Sequence, residues 1–314
     1  MVEFKVPVTV LAGWSAGAVA EALGRIGPPG DLAVVAAEAC PGLRTVVAPA
    51  RVAERSHGCP CCVVRLDVRA GVRKLLDRRE PPAQIVVVAG GEADPGPLLA
   101  TLLCDLRLAR RTELAAVVVV VDGPEAAVRL ATGRPVAPDR SAAEHLSVAD
   151  AVVVLGGDRL TTPGTVRVEA ALRELNPYSP AWTPGPGAWP VALTPGGAYD
   201  LASVARRLDA VAPATASPSM AFVEAEGEGD PRHLRAWARD LLDAHAGRLL
   251  RVQAVSSLRG RAERWAFSAV RTFSTSGVCG PARWGPPRAR VLAVGEAIDS
   301  SALARSLGDV LSAS

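Results

Sequence analysis

The segment Ser56-His57-Gly58-Cys59-Pro60-Cys61-Cys62 carries the most specific chemistry in the chain, because three of its six cysteines fall within four residues. Thiolates are soft ligands suited to zinc. Cys59, Cys61 and Cys62 can converge on one ion, leaving the fourth position to solvent, to His57 or to a residue from elsewhere. A redox pair and inert packing are the alternative readings of the same thiols. Loop histidines are common on protein surfaces, so His57 is a candidate ligand on proximity alone. Cys40, Cys104 and Cys279 are isolated in apolar or loop surroundings and read as small packing residues.

A second place for chemistry follows the first apolar run, Val6 to Ala12, where a phosphate-binding loop would read G-x-x-x-x-G-K-[ST]. Such a loop cradles phosphate with backbone N–H groups, neutralises it with a lysine and holds magnesium through a hydroxyl. Gly13 fits the first position and Gly17 lies inside the loop. Ala18 then stands for the second glycine, Val19 for the lysine and Ala20 for the hydroxyl residue. Every side chain that would act is missing. Glu21, expected in the first turn of the following helix, would add repulsion where a phosphate needs a positive helix end. The only lysines, Lys5 and Lys74, lie elsewhere. The segment reads as an ordinary tight turn, with a divergent nucleotide site as the alternative.

The elements that must position these residues are legible as apolar runs. Val6 to Ala12, Leu32 to Ala37, Ile85 to Ala89, Ala115 to Val121 and Ala151 to Leu155 read as strands apolar on both faces. Ala18 to Ile26, Leu66 to Leu76, Pro97 to Leu108 and Val166 to Leu175 have helical spacing. Alternation of the two predicts an α/β domain with a mainly parallel sheet covered by helices. Pro and Gly crowd residues 176–218, a stretch expected to hold no regular element. Beyond it, a helix from His233 to Ala246, strands at Leu249 to Val255, Trp265 to Phe273 and Arg290 to Val294, and a helix from Ser300 to Leu311 predict a small α+β domain. The expected division is a first domain over 1–212, a linker over 213–230 and a second domain over 231–314.

Composition sets the outer bounds. With 49% hydrophobic and 21% charged residues, the chain has the means to build cores and is not wholly disordered. Its apolar runs are much shorter than the roughly 20 residues of a membrane span, and no basic-then-apolar leader opens it. A cytoplasmic protein is expected, with no membrane partner, and clustered thiols in a reducing compartment favour metal or redox work. Thirty-five basic against 32 acidic residues leave a formal charge of +3, which singles out neither nucleic acid nor an anionic surface.

The order of these segments resembles the CobW-like family of P-loop GTPases, zinc and cobalt metallochaperones related to the nickel chaperones of urease and hydrogenase. Val6 to Gly13 matches the family's first strand and loop, and Gly58-Cys59-Pro60-Cys61-Cys62 matches its G-C-x-C-C metal motif. Ile85 to Pro95, Val117 to Asp122, Ala149 to Leu160 and Leu175-Asn176-Pro177 follow in the family's order. Leu249-Leu250-Arg251, Trp284 and Val294-Gly295 fit its C-terminal domain. The resemblance implies a P-loop NTPase-like fold followed by a CobW C-terminal-like domain, and zinc, or cobalt, held by Cys59, Cys61 and Cys62.

The departures from the family are systematic. The glutamate of the E-[TS]-[ST]-G element falls on Val88, although Gly91, Asp94 and Pro95 survive. The guanine-reading N-K-x-D element falls on Gly156, Gly157, Asp158 and Arg159. Arg159 has donors and no acceptor where the base N–H groups require one. Losing several polar partners, at roughly 1 to 3 kcal/mol each, abolishes useful affinity, so GTP and magnesium are not expected cofactors. A pseudo-GTPase that kept its metal loop is expected, serving a client metalloprotein or thiol acceptor. The alternatives are an active GTP-dependent metallochaperone with a divergent loop, and an interaction scaffold. Arg259, Arg261, Arg264, Arg271, Arg283, Arg288 and Arg290 are interleaved with Trp265, Phe267, Phe273 and Trp284. This pattern fits a solvated strand face over a core and leaves a ribosomal or RNA partner open.

Overall fold

The structure, a computed structural model, describes residues 5–26, 32–36, 52–54, 60–89, 98–99, 101–102, 105–138, 140–176, 179, 181–183, 201–210, 220–245, 248–270, 273–281 and 286–313. The chain divides into two compact units, Met1–Ala198 and Tyr199–Ser314.

In the first unit β1 (Val6–Gly13), α1 (Ala16–Ile26), β2 (Leu32–Ala36), β3 (Val52–Glu54), α2 (Pro60–Leu76), β4 (Gln84–Ala89), α3 (Leu106–Arg111) and β5 (Thr112–Asp122) follow in turn. They are succeeded by α4 (Gly123–Ala131), α5 (Arg140–Val148), β6 (Ala151–Leu155), α6 (Thr162–Leu175) and β7 (Ala181–Trp182). The strands form one sheet of seven in the order β3-β2-β4-β1-β5-β6-β7, every pair parallel. Val6, Val8, Val10, Leu11 and Ala12 are all buried, as a strand covered on both faces requires. On one face Ala18, Val19, Ala22 and Leu23 of α1 pack with Leu11, Val34, Val86, Val88, Val118, Val120, Val153 and Leu155.

Two polar staples tie the far side of this unit together. Asp150 Oδ2 accepts from the Val117 amide at 2.8 Å while its own amide donates to the Val117 carbonyl at 2.7 Å. Asn176 Nδ2 donates to the carbonyls of Leu146 and Ala149 at 2.7 and 3.2 Å, and its Oδ1 accepts from the Ser179 amide. Both side chains are buried, and the bonds replace the water they have lost.

The second unit runs α7 (Leu201–Ala210), β8 (Met220–Glu226), β9 (Glu228–Gly229), α8 (Pro231–Ala244), β10 (Leu249–Leu258), β11 (Glu263–Val270), β12 (Phe273–Pro281), β13 (Arg288–Gly295) and α9 (Ser300–Ser312). Its sheet has the order β12-β11-β10-β13-β8, antiparallel throughout, with β9 added parallel to β10. Alternate residues Val252, Ala254, Phe267, Ala269, Val291 and Ala293 meet Leu234, Trp237, Leu303 and Leu307 of α8 and α9 in the core. Helix α7 packs on β10, β11 and β12. Two N-caps fix the starts of the covering helices: Asp230 accepts from the Arg232 amide, and Asp299 from those of Ser301 and Ala302.

Three sequence expectations are corrected here. The unit boundary falls after Ala198, and residues 220–226, expected as linker, form strand β8. The Pro- and Gly-rich stretch contains a helix, α7, whose buried Val204, Ala205 and Leu208 have the spacing of an amphipathic face. Helix α2 starts at Pro60, six residues before the expected Leu66, so Cys61 and Cys62 have helical backbone instead of lying in a loop.

Candidate functional site

Parallel pairing brings the carboxyl ends of β1, β4, β5 and β6 to one edge of the first sheet, where ligands of open α/β folds bind. Ala89 is in register with Ala12, Val120 with Gly13, and Leu155 with Asp122. The loop that leaves β1 is short. Only Trp14 and Ser15 separate Gly13 from the first residue of α1.

Ser15 is the N-cap of α1, a residue the sequence reading passed over. Its Oγ accepts from the Ala18 amide at 3.3 Å, and its carbonyl accepts from the Val19 amide at 3.1 Å. The Ala18 amide, one of those a helix start leaves free to face an anion, is thus satisfied within the chain, while the Val19 bond is the first of the helix's own ladder. Ser before an apolar helical run was the available signal. Because the helix begins at Ala16, Glu21 lies in its second turn and no acidic residue occupies the first. The expected repulsion by a first-turn carboxylate is therefore withdrawn.

What replaces the missing charges is apolar packing. Val19, at the lysine position, is 2% exposed and folds onto Gly13, so that a Cβ on Gly13 would stand 2.5 Å from a Val19 methyl. Val88, at the glutamate position, is 4% exposed and belongs to the same apolar cluster. Ala18 is buried and Ala20 packs against the cluster's edge. Gly91, Asp94 and Pro95 lie outside the described residues.

The end of β6 shows a matching change. Gly156 has left-handed backbone, φ 67°, and opens a 3-10 turn over Gly157–Arg159. Arg159 folds back over it: a Cβ on Gly156 would lie 2.5 Å from the guanidinium Nη2. A Cβ on Gly157 would collide with Thr183. Across the neighbouring strand, Asp122 at the end of β5 accepts from the Glu125 amide at 3.0 Å and so caps α4.

At the cysteine segment the structure places Pro60 first, Cys61 second and Cys62 third in helix α2. Proline is at home there, since its missing N–H is one of those a helix start leaves unpaired. His57 and Cys59 lie outside the described residues, as do Cys40 and Cys104. Among the described residues no group of three or more His, Cys, Asp or Glu side chains gathers as for a metal. Cys279 is buried in β12, as its packing reading expects.

The arginine–aromatic segment is split between the two faces of the second sheet. Trp265 and Phe267 stack at 5.8 Å between ring centroids and are buried in the core beneath α8 and α9. Arg264 bonds both oxygens of Asp209 on α7 at 2.8 and 2.9 Å. Arg290 meets Glu224 at 2.6 Å, and Arg288 the same carboxylate at 3.2 Å. Arg271, Arg283 and Trp284 lie outside the described residues, while Arg259 and Arg261 are exposed.

A parallel sheet with helices between its strands, followed by an antiparallel sheet under two helices, defines a GTPase-type domain joined to a smaller α+β domain. The family model described as CobW/HypB/UreG, nucleotide-binding domain, matches residues 31–182, and the cobalamin synthesis protein cobW C-terminal domain matches residues 219–311. The chain belongs to the CobW family. The first of these spans begins after β1, α1 and the Gly13 loop. Among solved structures, Zn(II)-bound YjiA GTPase from E. coli is similar over 98% of this chain and 99% of its own, with a TM-score of 0.72 and 17% identity. A Zn(II)-bound triple mutant of YjiA, with one glutamate and two adjacent cysteines changed to alanine, gives a TM-score of 0.73 over the same shares at 17% identity. At that identity the likeness concerns the fold. No curated protein matches the sequence. Among the described residues no helix is long and apolar enough to cross a membrane.

Proposed function

We propose that this chain is a pseudo-GTPase of the CobW family that binds a soft divalent ion, zinc first and cobalt second, and works as a metallochaperone or zinc-homeostasis adaptor. The observation that carries the reading is the shared apolar cluster of Val19 and Val88. The two positions at which the family's sequence pattern has a lysine and a glutamate have joined one hydrophobic core. A single charge returned to either would be buried without its partner, at a cost of about 3 to 5 kcal/mol. Gly156 and Gly157 support the same reading. A Cβ on Gly157 would run into the Thr183 side chain and one on Gly156 into the tip of Arg159, and Gly156 has left-handed backbone, so a base-reading side chain at either position would need its neighbours to move.

The donor set suits the ion. Cys59, Cys61 and Cys62 supply soft sulfur, with His57 or solvent for the fourth position. Cys61 and Cys62 stand in the first turn of α2, where the helix dipole favours negative charge and hence the thiolate that binds metal. Zn(II) in the unmutated YjiA structure supports metal binding at the level of the family. Because ligation displaces thiol protons, affinity falls as pH is lowered. Without a nucleotide cycle, release of the ion falls to a client protein or to thiol exchange.

Two measurements test the proposal. Native mass spectrometry in zinc-replete buffer should show one bound ion, lost in Cys61→Ser; a metal-free wild-type mass overturns the metal assignment. Titration with fluorescent GTP and magnesium, with and without zinc, should show no saturable binding. Micromolar affinity would overturn the pseudo-GTPase assignment and leave an active GTP-dependent chaperone.

A further inference from the structure

The helices that cover the second sheet do not close on each other completely. Between α8 and α9 lies a cavity of about 280 Å³, lined by residues that include Trp237, Leu241, Leu249, Ile298 and Leu303. Small-molecule sites commonly run from roughly 300 to 1,000 Å³, so this space suits one or two side chains better than a nucleotide or cofactor. Two carboxylates, Asp240 of α8 and Asp299, the residue that caps α9, also line it, and among the described residues no lysine or arginine does. His245, the remaining titratable lining residue, shares its Nδ1 with the Arg248 guanidinium at 3.4 Å. Arg305 acts on Asp299 electrostatically from outside the lining.

We propose that this cleft receives an arginine side chain, carried beside an apolar residue on a segment of a partner protein. An apolar floor under carboxylates complements a side chain with an aliphatic stem and a cationic head. Trp237 contributes a π surface for the cation, and its Nε1 donates to Ser306 Oγ at 3.2 Å, which fixes the ring. Arginine fits better than lysine because its planar guanidinium both stacks on an indole and forks onto carboxylates. Asp299 caps α9 through Oδ1 alone, which accepts both amide bonds at 2.8 and 2.9 Å. Its second oxygen is the one assigned to the guanidinium. The strand-to-helix turn presents this wall: Ala297, with φ 50°, is a non-glycine residue in left-handed backbone, directly before Ile298 and Asp299.

The test uses the full chain labelled with ¹⁵N and the probe N-acetyl-leucyl-arginine amide. The readout is the Trp237 indole N–H signal, assigned through Trp237→Phe. A saturable shift is expected, and the citrulline analogue, equal in shape but neutral, should bind about tenfold more weakly or worse, as loss of one charge-assisted bond implies. The double variant Asp240→Asn with Asp299→Asn should show the same loss, while asparagine preserves the α9 cap and keeps the helix folded. An unmoved Trp237 signal overturns the proposal. Equal binding of the citrulline peptide, or unchanged binding by the double variant, overturns it too, because the carboxylates would then recognise nothing. None of these readouts involves the cysteines or a nucleotide, so the pseudo-GTPase reading stands or falls separately.

Discussion

The strand ends of the first unit and the helix pair of the second differ in how their hollows are filled. At the ends of β1 and β6 the chain supplies its own contents: Val19 folds onto Gly13, Ser15 caps the Ala18 amide, and Arg159 lies over Gly156. Between α8 and α9 the hollow stays open, with carboxylates on its wall. A fold's usual binding edge therefore says little until its side chains are placed. On the proposed pseudo-GTPase reading, losing the nucleotide's contacts and gaining internal packing are one change, because a lone charge in a closed apolar site is strongly destabilising.

The sharpest way to break this comparison is to return one charge to the filled edge. Val88→Glu should lose about 3 to 5 kcal/mol in urea denaturation, because it buries an unpaired carboxylate. Adding Val19→Lys should recover part of that loss, with a coupling of about 0.5 to 3 kcal/mol; strict additivity would show that the two positions do not share a site. Next in size is the wall of the open cleft. Leu303, 4% exposed, borders the cavity, and Leu303→Ala should cost about 2 to 5 kcal/mol, towards the lower limit if the neighbours collapse into the enlarged hollow.

Ser15→Ala removes the cap of α1 and should cost about 1 kcal/mol by the same measurement. If fluorescent GTP then bound, the cap would be the plug, and the apolar pair would not be the decisive change. The smallest effect concerns acid. The Ala302 amide, with that of Ser301, holds the Asp299 carboxyl below its ordinary 3.8, and the Arg232 amide does the same for Asp230. A lowered folded-state value means that the stabilisation is present above the ordinary carboxylate range and is lost as pH falls through the lowered value. Denaturation midpoints taken between pH 7 and pH 3 should therefore fall less in Asp299→Asn than in the wild type.

Much of the architecture was open to reading in one dimension. Runs such as Val117 to Val121 are buried on both faces, and that pattern marks interior parallel strands directly. Helix α7 is not legible in the sequence because prolines and glycines flank its ten-residue amphipathic pattern. The start of α1 is marked by Ser15, a capping residue before an apolar helical run, but Gly17 in the first turn weakens the helical pattern there. The open cleft had no signature at all. Its lining comes from α8, β10, the turn before α9 and α9 itself, residues as distant as Trp237 and Ser306.

Residue identity by itself determined the class of fold, the order of its two sheets, the thiol-rich segment and the absence of a phosphate-binding lysine, since each follows from local pattern and side-chain chemistry. Only the tertiary structure decided that Val19 and Val88 share one cluster, that a side chain at Gly157 would run into Thr183, and that Arg264 and the aromatics of β11 face opposite ways. Packing density is the reason. Whether a position can accept a charge, a base or a partner's side chain depends on what distant segments bring against it, and spacing along the chain does not encode that distance.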